Sequence, residues 1–509
     1  MRMKKEILYT VEGLCLAGSH LVRRRISIQG GRIGGARSSG PPWQLKANQI
    51  LMPAFHDHHA HMVGTCRPPQ GPCLDGALSE QDCLERTVAW LRTHPGSSPV
   101  VGEGWDDSIW GDARPLTRVD LDRIAPDRPV ALRRVCGHMA IVNSAAWEAL
   151  SPGGAEADRE TGIITESLAL GLAARWPPSP EDLLEGVRRA QAEAARHGVA
   201  AIDEIGRLDG LRAMRRLGEQ GELWLRVRYF LPLPAIDELR ETGVAAGPAV
   251  GSGSLTVCGL KGFLDGSIGA RTAAVSVPYA DGKEPGLLLW EADRLMEAVR
   301  RGSGEGFTII LHAIGGRAVE QAVAALEQAA PARAGTPHRI EHAEEIDARL
   351  LVRAAAAGIA LSMQPNFTAR WQGPGGMYER ALGAERVARL NPYRSAAAAA
   401  PVLFGSDMMP FGPLEGLAGA VGHPEASESL PPALALAAYT REGIVPLAER
   451  DLLAIGEPAD MTVLDLPEGD LGAALRSRGG RVIWTAAAGR TVWSDTEAGV
   501  PDFLVEAAA

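Results

Sequence analysis

No stretch of this 509-residue sequence approaches the roughly 20 consecutive apolar residues that a membrane-spanning helix needs. The opening, MRMKKEILYTVEGLCLAG, has positive charge but no apolar run of secretory length, so the chain is expected to stay in the cytoplasm and off the membrane. Cysteine is sparse and scattered. Cys15, Cys66, Cys73, Cys83, Cys136 and Cys258 include no pair with a two-residue spacer, which argues against a zinc ribbon or redox pair and leaves reduced thiols. Basic clusters that could neutralise a run of phosphates are missing too: 52 Lys and Arg face 62 Asp and Glu, a formal net charge of -10, and nucleic acid is not an expected partner. Low-complexity tracts are also absent, and 46% hydrophobic with 22% charged residues is the composition of an ordinary globular chain. The length suits one large barrel with a smaller companion domain.

The first fifty residues alternate short apolar and polar runs with glycine punctuation (ILYTVEGLCLAG, LVRRRISIQGGRIGG), a texture of short strands that returns near the end in DMTVLDLP, GRVIWTAAAG and RTVWSD. Both termini are therefore expected to pair in one β-sandwich-like domain, 1–52 with 455–498. Between them, eight β-rich runs alternate with segments of helical period: QILMPAFHDHHAH, GVAAIDEIG, LWLRVRYFLP, LTVCGLKGFLDG, GFTIILHAIG, HRIEHAE, GIALSMQP and APVLFGSD. That count predicts an α/β fold, a (β/α)8 TIM barrel over 53–454. The roughly 130 residues between the first two runs exceed any βα unit, so an insertion at about 64–195 is expected to carry its own structure and to roof the site.

In LMPAFHDHHAHM, His59 and His61 share one face of a strand, and two neutral imidazoles on one face make a metal chelate. His56 and His58 have the same spacing on the other parity, so the residues alone leave the pair open. Barrel enzymes place their chemistry at the C-terminal ends of strands. Lys261, His312, His342 and Asp407 all fall at such ends. Singly, each reads as well as a core or capping residue, and Lys261 as the partner of an acid such as Asp265. Their conjunction at the mouths of different strands is what points to one site.

These residues, with GWDDSIWG, APDRPVALRRVCGHMAIVNSAA, GLKGFLDGSIGARTAA, LHAIGGRAVEQAV, HRIEHAEEI, SMQPN, FGSDMMPFGPLEGLAGAV and GEPADMTVLD, resemble the amidohydrolase superfamily over nearly the whole chain. Within it the chain is similar to the YtcJ-like branch that includes N-substituted formamide deformylase. The resemblance places an Asp two residues before the first ligand, as Asp57 precedes His59, and so selects His59 and His61 over their neighbours. It implies one metal on His59, His61 and Asp407, a second on His312 and His342, and Lys261 bridging them as a carbon dioxide-derived carbamate. Zinc is the default among divalent metals, at one or two per chain. Asp407 would take a proton from the attacking water and pass it to the leaving nitrogen. His138, Trp105 and Arg271 lie in family-like segments assigned to substrate contacts, with packing and a structural ion pair the equally weighted alternative for Trp105 and Arg271.

The expected activity is hydrolysis of an amide-like, non-peptide carbon–nitrogen bond in a small molecule. The same centre would also serve deamination or ester and lactone hydrolysis, and a non-catalytic metal-binding or regulatory barrel is the alternative of another class. Homo-oligomers are common among such enzymes. Two positions depart from the family pattern: Gly316 replaces an acidic residue after His312, and Asp203 stands where relatives often carry histidine.

Overall fold

A computed structural model describes residues 8–17, 20–34, 42–107, 110, 114–135, 137, 139–154, 157–250, 253–331, 336–440, 451–501 and 504. The eight runs become eight parallel strands: β1 Phe55–Ala60, β2 Val199–Ile205, β3 Arg226–Pro232, β4 Leu255–Phe263, β5 Thr308–Ala313, β6 Arg339–His342, β7 Ala360–Met363 and β8 Val402–Phe404. They hydrogen-bond in that order, each to the next. All residues of β1, β2, β6, β7 and β8 are buried, as strands covered on both faces must be. Ile205, Phe230, Cys258 and Ile310, from four successive strands, pack together as one apolar cluster.

The ring closes where β8 returns to β1. Asp407 N donates to His59 O at 2.8 Å, and Ser406 N donates to Asp57 Oδ1 at 3.0 Å. This approach requires glycine at 405, since a Cβ there would fall 2.4 Å from His59 N. Amphipathic helices fill the returns. In Leu208–Gln220, Leu211, Met214 and Leu217 form the buried stripe, and Gly221 ends the helix in the left-handed conformation.

The first run does not form a single strand. Gln49–Pro53 pairs antiparallel with Met461–Asp465 and parallel with Leu8–Ala17, while the barrel begins at Phe55. Pro53 explains the division, because it has no N–H to continue a ladder; Ala54 N then donates to Asp460 O and Phe55 N to Gly198 O. The terminal sheet runs Arg490–Ser494, Arg481–Ala487, Met461–Asp465, Gln49–Pro53, Leu8–Ala17, His20–Gln29, Arg32–Gly34, with Trp43–Gln44 beside Leu8–Ala17. It curls around Trp484. That fully buried ring meets Tyr9 and Trp43 edge-on, at centroid distances of 6.1 and 5.7 Å, although their strands are not its neighbours.

The chain divides into two compact units, 1–66 with 186–509 and 67–185. The second unit is a five-stranded sheet in the order Ala157–Asp158, Ile163–Thr165, Met139–Val142, Val130–Arg134, Val100–Trp105, with helices Glu80–Thr93, Arg118–Ile124 and Ser144–Leu150. Buried Asn143 joins its parts: Oδ1 accepts from Val130 N and Ala146 N, and Nδ2 donates to Ala125 O and Arg128 O. Among the described residues no helix is long and apolar enough to cross a membrane.

Trp484→Ala removes the ring that Tyr9 and Trp43 meet edge-on. The expected loss is about 3–5 kcal/mol, read as a lowered thermal midpoint; an unchanged midpoint would mean that the sheet repacks without it.

Candidate metal centre

β1 and the residue after it bring His59 and His61 to the place where the segment after β8 brings Asp407. His59 Nε2 stands 3.5 Å from Asp407 Oδ1, and His61 Nε2 stands 3.3 Å from the same oxygen. His59 is buried; the side chain of His61 is 34% exposed, so this edge of the cluster is open. The rings of His59 and His342 lie 4.9 Å apart and those of His342 and His312 4.4 Å apart, which brings β1, β5, β6 and β8 to one centre. His59, His342 and Asp407 are mutually close enough to share an ion.

Hydrogen bonds fix where the lone pairs lie. A backbone carbonyl can only accept, so His61 carries its proton on Nδ1, donated to Ile205 O at 2.9 Å, and presents Nε2 toward Asp407. By the same rule His312 donates from Nε2 to Gly266 O at 3.1 Å and keeps Nδ1 as its acceptor nitrogen. His59 Nδ1 lies 2.5 Å from Glu341 Oε2. His342 Nδ1 is buried with no hydrogen-bond partner.

Lys261, at the end of β4, is 1% exposed, and its Nζ has no hydrogen-bond partner among the described residues. Burial lowers its pKa to about 8, against the pull of Glu341 and Asp407. Asp265 does not pair with it. The Asp265 carboxylate accepts instead from the backbone N–H groups of Ile314, Gly315 and Ala274. Burial works against the charge on Asp407, but His59, His61 and Lys261 outweigh it and hold the carboxyl at about 2. His61 is raised in turn, the attraction of Asp407 outweighing burial, whereas burial and Lys261 push His312 down to about 3. The centre thus stabilises positive charge between His61 and Asp407 and keeps the other imidazoles neutral.

Asp57 does not join the cluster through its side chain. Its Oδ1 accepts from His59 N and Ser406 N, tying together the strand ends that carry His59 and Asp407. His56 and His58 stack on each other at 3.9 Å and face Asp203, a second group of metal-holding size. Its acid is already occupied: Asp203 accepts from Arg228 and Arg339, and sits 2.8 Å from His56 Nε2. Two guanidinium groups beside one carboxylate oppose a cation there.

The three residues assigned to substrate contacts fare differently. Trp105 lies in the 67–185 unit, 2% exposed, where its indole N–H donates to Leu132 O at 2.8 Å and its ring packs near Trp110. It occupies a packing position, because a buried indole takes whatever acceptor its core offers. Arg271 pairs with Asp281 at 2.8 Å, donates to Ile268 O and covers Tyr279, the bonding of a structural ion pair. His138 lies outside the described residues. Sequence reasoning passed over Glu341 and Arg339, although a carboxylate directly before His342 in a buried strand was a signal.

The Gly316 departure has a steric basis. Gly316 N and Ser276 N both donate to Glu345 Oε2, at 2.7 and 3.0 Å, so this carboxylate caps the helix Gly316–Leu326. A Cβ at 316 would fall 2.1 Å from Ser276 Oγ and 3.1 Å from Glu345 Oε2.

An eightfold parallel barrel with acceptor nitrogens, a buried lysine and a carboxylate converging at its C-terminal strand ends is the architecture of a metal-dependent barrel hydrolase. The model of the amidohydrolase family matches residues 47–493. The putative amidohydrolase YtcJ of Bacillus subtilis (strain 168) is 28% identical over 454 residues, 82% of this chain and 84% of that protein. Among solved structures, an uncharacterized metal-dependent hydrolase from Pyrococcus horikoshii OT3 superposes with a TM-score of 0.75 at 27% identity, covering 92% of this chain and 99% of that one. One from Pyrococcus furiosus gives 0.74 at 26% identity, covering 91% and 100%. This chain belongs to the amidohydrolase family.

Gly316→Asp, which restores the acidic residue, is expected to destabilise the protein by about 1–3 kcal/mol, since the side chain displaces Ser276 and crowds Glu345. A thermal midpoint equal to or above that of the wild type would refute this steric account.

Proposed function

We propose that this protein hydrolyses an amide-like, non-peptide carbon–nitrogen bond in a small molecule, an N-acyl or N-formyl amine, with water activated at a divalent metal. One observation carries the reading. His61 Nε2 and Asp407 Oδ1 face each other at 3.3 Å, and Asp407 raises the pKa of His61 against burial. Such a place favours a cation. Imidazoles, a carboxylate and a lysine amine with no hydrogen-bond partner among the described residues form a donor set suited to zinc.

In this reading His59, His61 and Asp407 hold one ion, His312 and His342 a second. When bound, such an ion lowers the pKa of a coordinated water and polarises a substrate carbonyl. Lys261 would supply a further anionic ligand. With its pKa lowered to about 8, a usable fraction is neutral at physiological pH, and the Nζ lone pair adds to the carbon of carbon dioxide, releasing one proton and leaving an N-carboxylate. Asp407, kept ionised with a carboxyl pKa of about 2, accepts the proton of the attacking water and delivers it to the leaving nitrogen as the carbon–nitrogen bond breaks. Phe263, 45% exposed at the end of β4 with its ring 5.3 Å from that of His312, gives the site an apolar wall that suits a carbon-rich substituent.

The test is metal content per chain, by elemental analysis after reloading with zinc, for wild type and Lys261→Ala. Near two ions in the wild type, falling on loss of Lys261, is the expected result. Near one in both proteins removes the bridge, and none removes the enzyme reading. A screen of N-formyl and N-acyl amines for released amine then tests the bond; turnover only of esters, lactones or amino-substituted rings would assign the same centre to the other chemistry.

A further inference from the structure

We propose that Glu341 is a positioning residue that fixes the proton of His59 on Nδ1, so that Nε2 turns its lone pair to the site, and that Arg339, which does not touch His59, dictates this choice. The proposal rests on the reading of His59 as a metal ligand. Glu341 Oε2 lies 2.5 Å from His59 Nδ1, and Glu341 Oε1 accepts from Arg339 Nε at 2.6 Å. Arg339 continues inward: Nη1 donates to Asp203, Nη2 donates to His58 O at 3.0 Å, and the guanidinium lies over Phe230. Asp203 also accepts from Nε and Nη2 of Arg228, at 2.6 Å each, and stands 2.8 Å from His56 Nε2. Glu341 and Asp203 are 0% exposed and Arg339 is 1% exposed. Two acids alternate with two arginines in a charge-balanced row, buried except at Arg228, that ends on His59.

Arginine cannot accept a hydrogen bond, so whatever side chain stands at 341 must offer Arg339 an acceptor. A carboxylate has two oxygens and can serve both neighbours. It accepts from Arg339 with one and from His59 Nδ1–H with the other, which leaves Nε2 unprotonated toward Asp407. Glutamine has one oxygen only. In Glu341→Gln, Arg339 claims that oxygen, the amide NH2 faces His59, and the imidazole must accept at Nδ1 and carry its proton on Nε2, the nitrogen needed by the metal. Replacing Arg339 as well removes the competing donor: in Arg339→Met with Glu341→Gln, the glutamine oxygen can turn back to Nδ1–H. That double variant also leaves Arg228 balanced against Asp203, so it buries no unpaired charge.

The experiment measures the zinc Kd of the reloadable apoprotein by chelator competition, and the protonated nitrogen of His59 by 15N histidine NMR of the apoprotein. For Glu341→Gln, about 10–100-fold weaker binding is expected, with the His59 proton moved to Nε2. The double variant is expected to recover most of the affinity and to return the proton to Nδ1, a rescue that general loss of packing does not produce. His59→Ala separates the two readings. If it binds zinc as the wild type does, the ligand reading of His59 fails; if it loses binding while Glu341→Gln retains the wild-type Kd, the positioning role fails. Should Glu341→Gln not fold, the wild-type and double-variant spectra decide, and a proton held only on Nε2 in either one overturns the proposal.

Discussion

The closure of β8 on β1 is the constraint on which the rest of this structure depends. A barrel could close in many registers, but here the carboxylate of Asp57 accepts from the amides of both His59 and Ser406, and the amide of Asp407 donates to His59 O. One buried acid therefore sets the height of the strand ends that carry His59 and Asp407, and Gly405 lets the backbones approach closely enough for it to do so. The 3.3 and 3.5 Å separations between the imidazoles and Asp407 are consequences of that register. A one-residue slip would turn each side chain to the opposite face.

Below the centre the barrel contains charge where apolar side chains are the usual filling. Arg228, Asp203, Arg339 and Glu341 are individually costly to bury, and together they neutralise one another. Well-packed hydrophobic residues would stabilise the same volume at least as well. What the ionic row adds is direction: hydrogen bonds with fixed donors and acceptors transmit a choice of proton position, which apolar contacts cannot do. Asp203 gains its meaning here, since it serves as the acceptor between two guanidinium groups, a task that histidine in its place could not perform with two oxygens.

The barrel was legible because its strands are apolar runs bounded by Gly, Pro and Asp, and because the chemistry-bearing residues fall at their C-terminal ends. The polar content of β1 was less legible. Both parities carry histidines and all six residues are buried, so period-two reasoning had no solvent face from which to orient the strand. For Trp105 and Arg271 the sequence left binding and structural roles open, and the structure shows a buried indole donating to Leu132 O and an ion pair whose partner, Asp281, lies only ten residues away. Glu341 was passed over because a sequence pattern identifies ligands by their own donor atoms, whereas its role exists only through the contact it makes across the barrel with β1.

Gly316 illustrates how a departure from a family pattern can preserve the local electrostatics. The start of the helix Gly316–Leu326 needs negative charge to satisfy its free N–H groups. Glu345 supplies it from the segment after β6, accepting from Gly316 N and Ser276 N while its other oxygen accepts from Arg386. A second acid at 316 would meet a terminus already capped and an arginine already engaged. The loss of that side chain is therefore compatible with an intact strand end at His312, because the hydrogen bond that orients His312 runs to Gly266 O and does not pass through position 316.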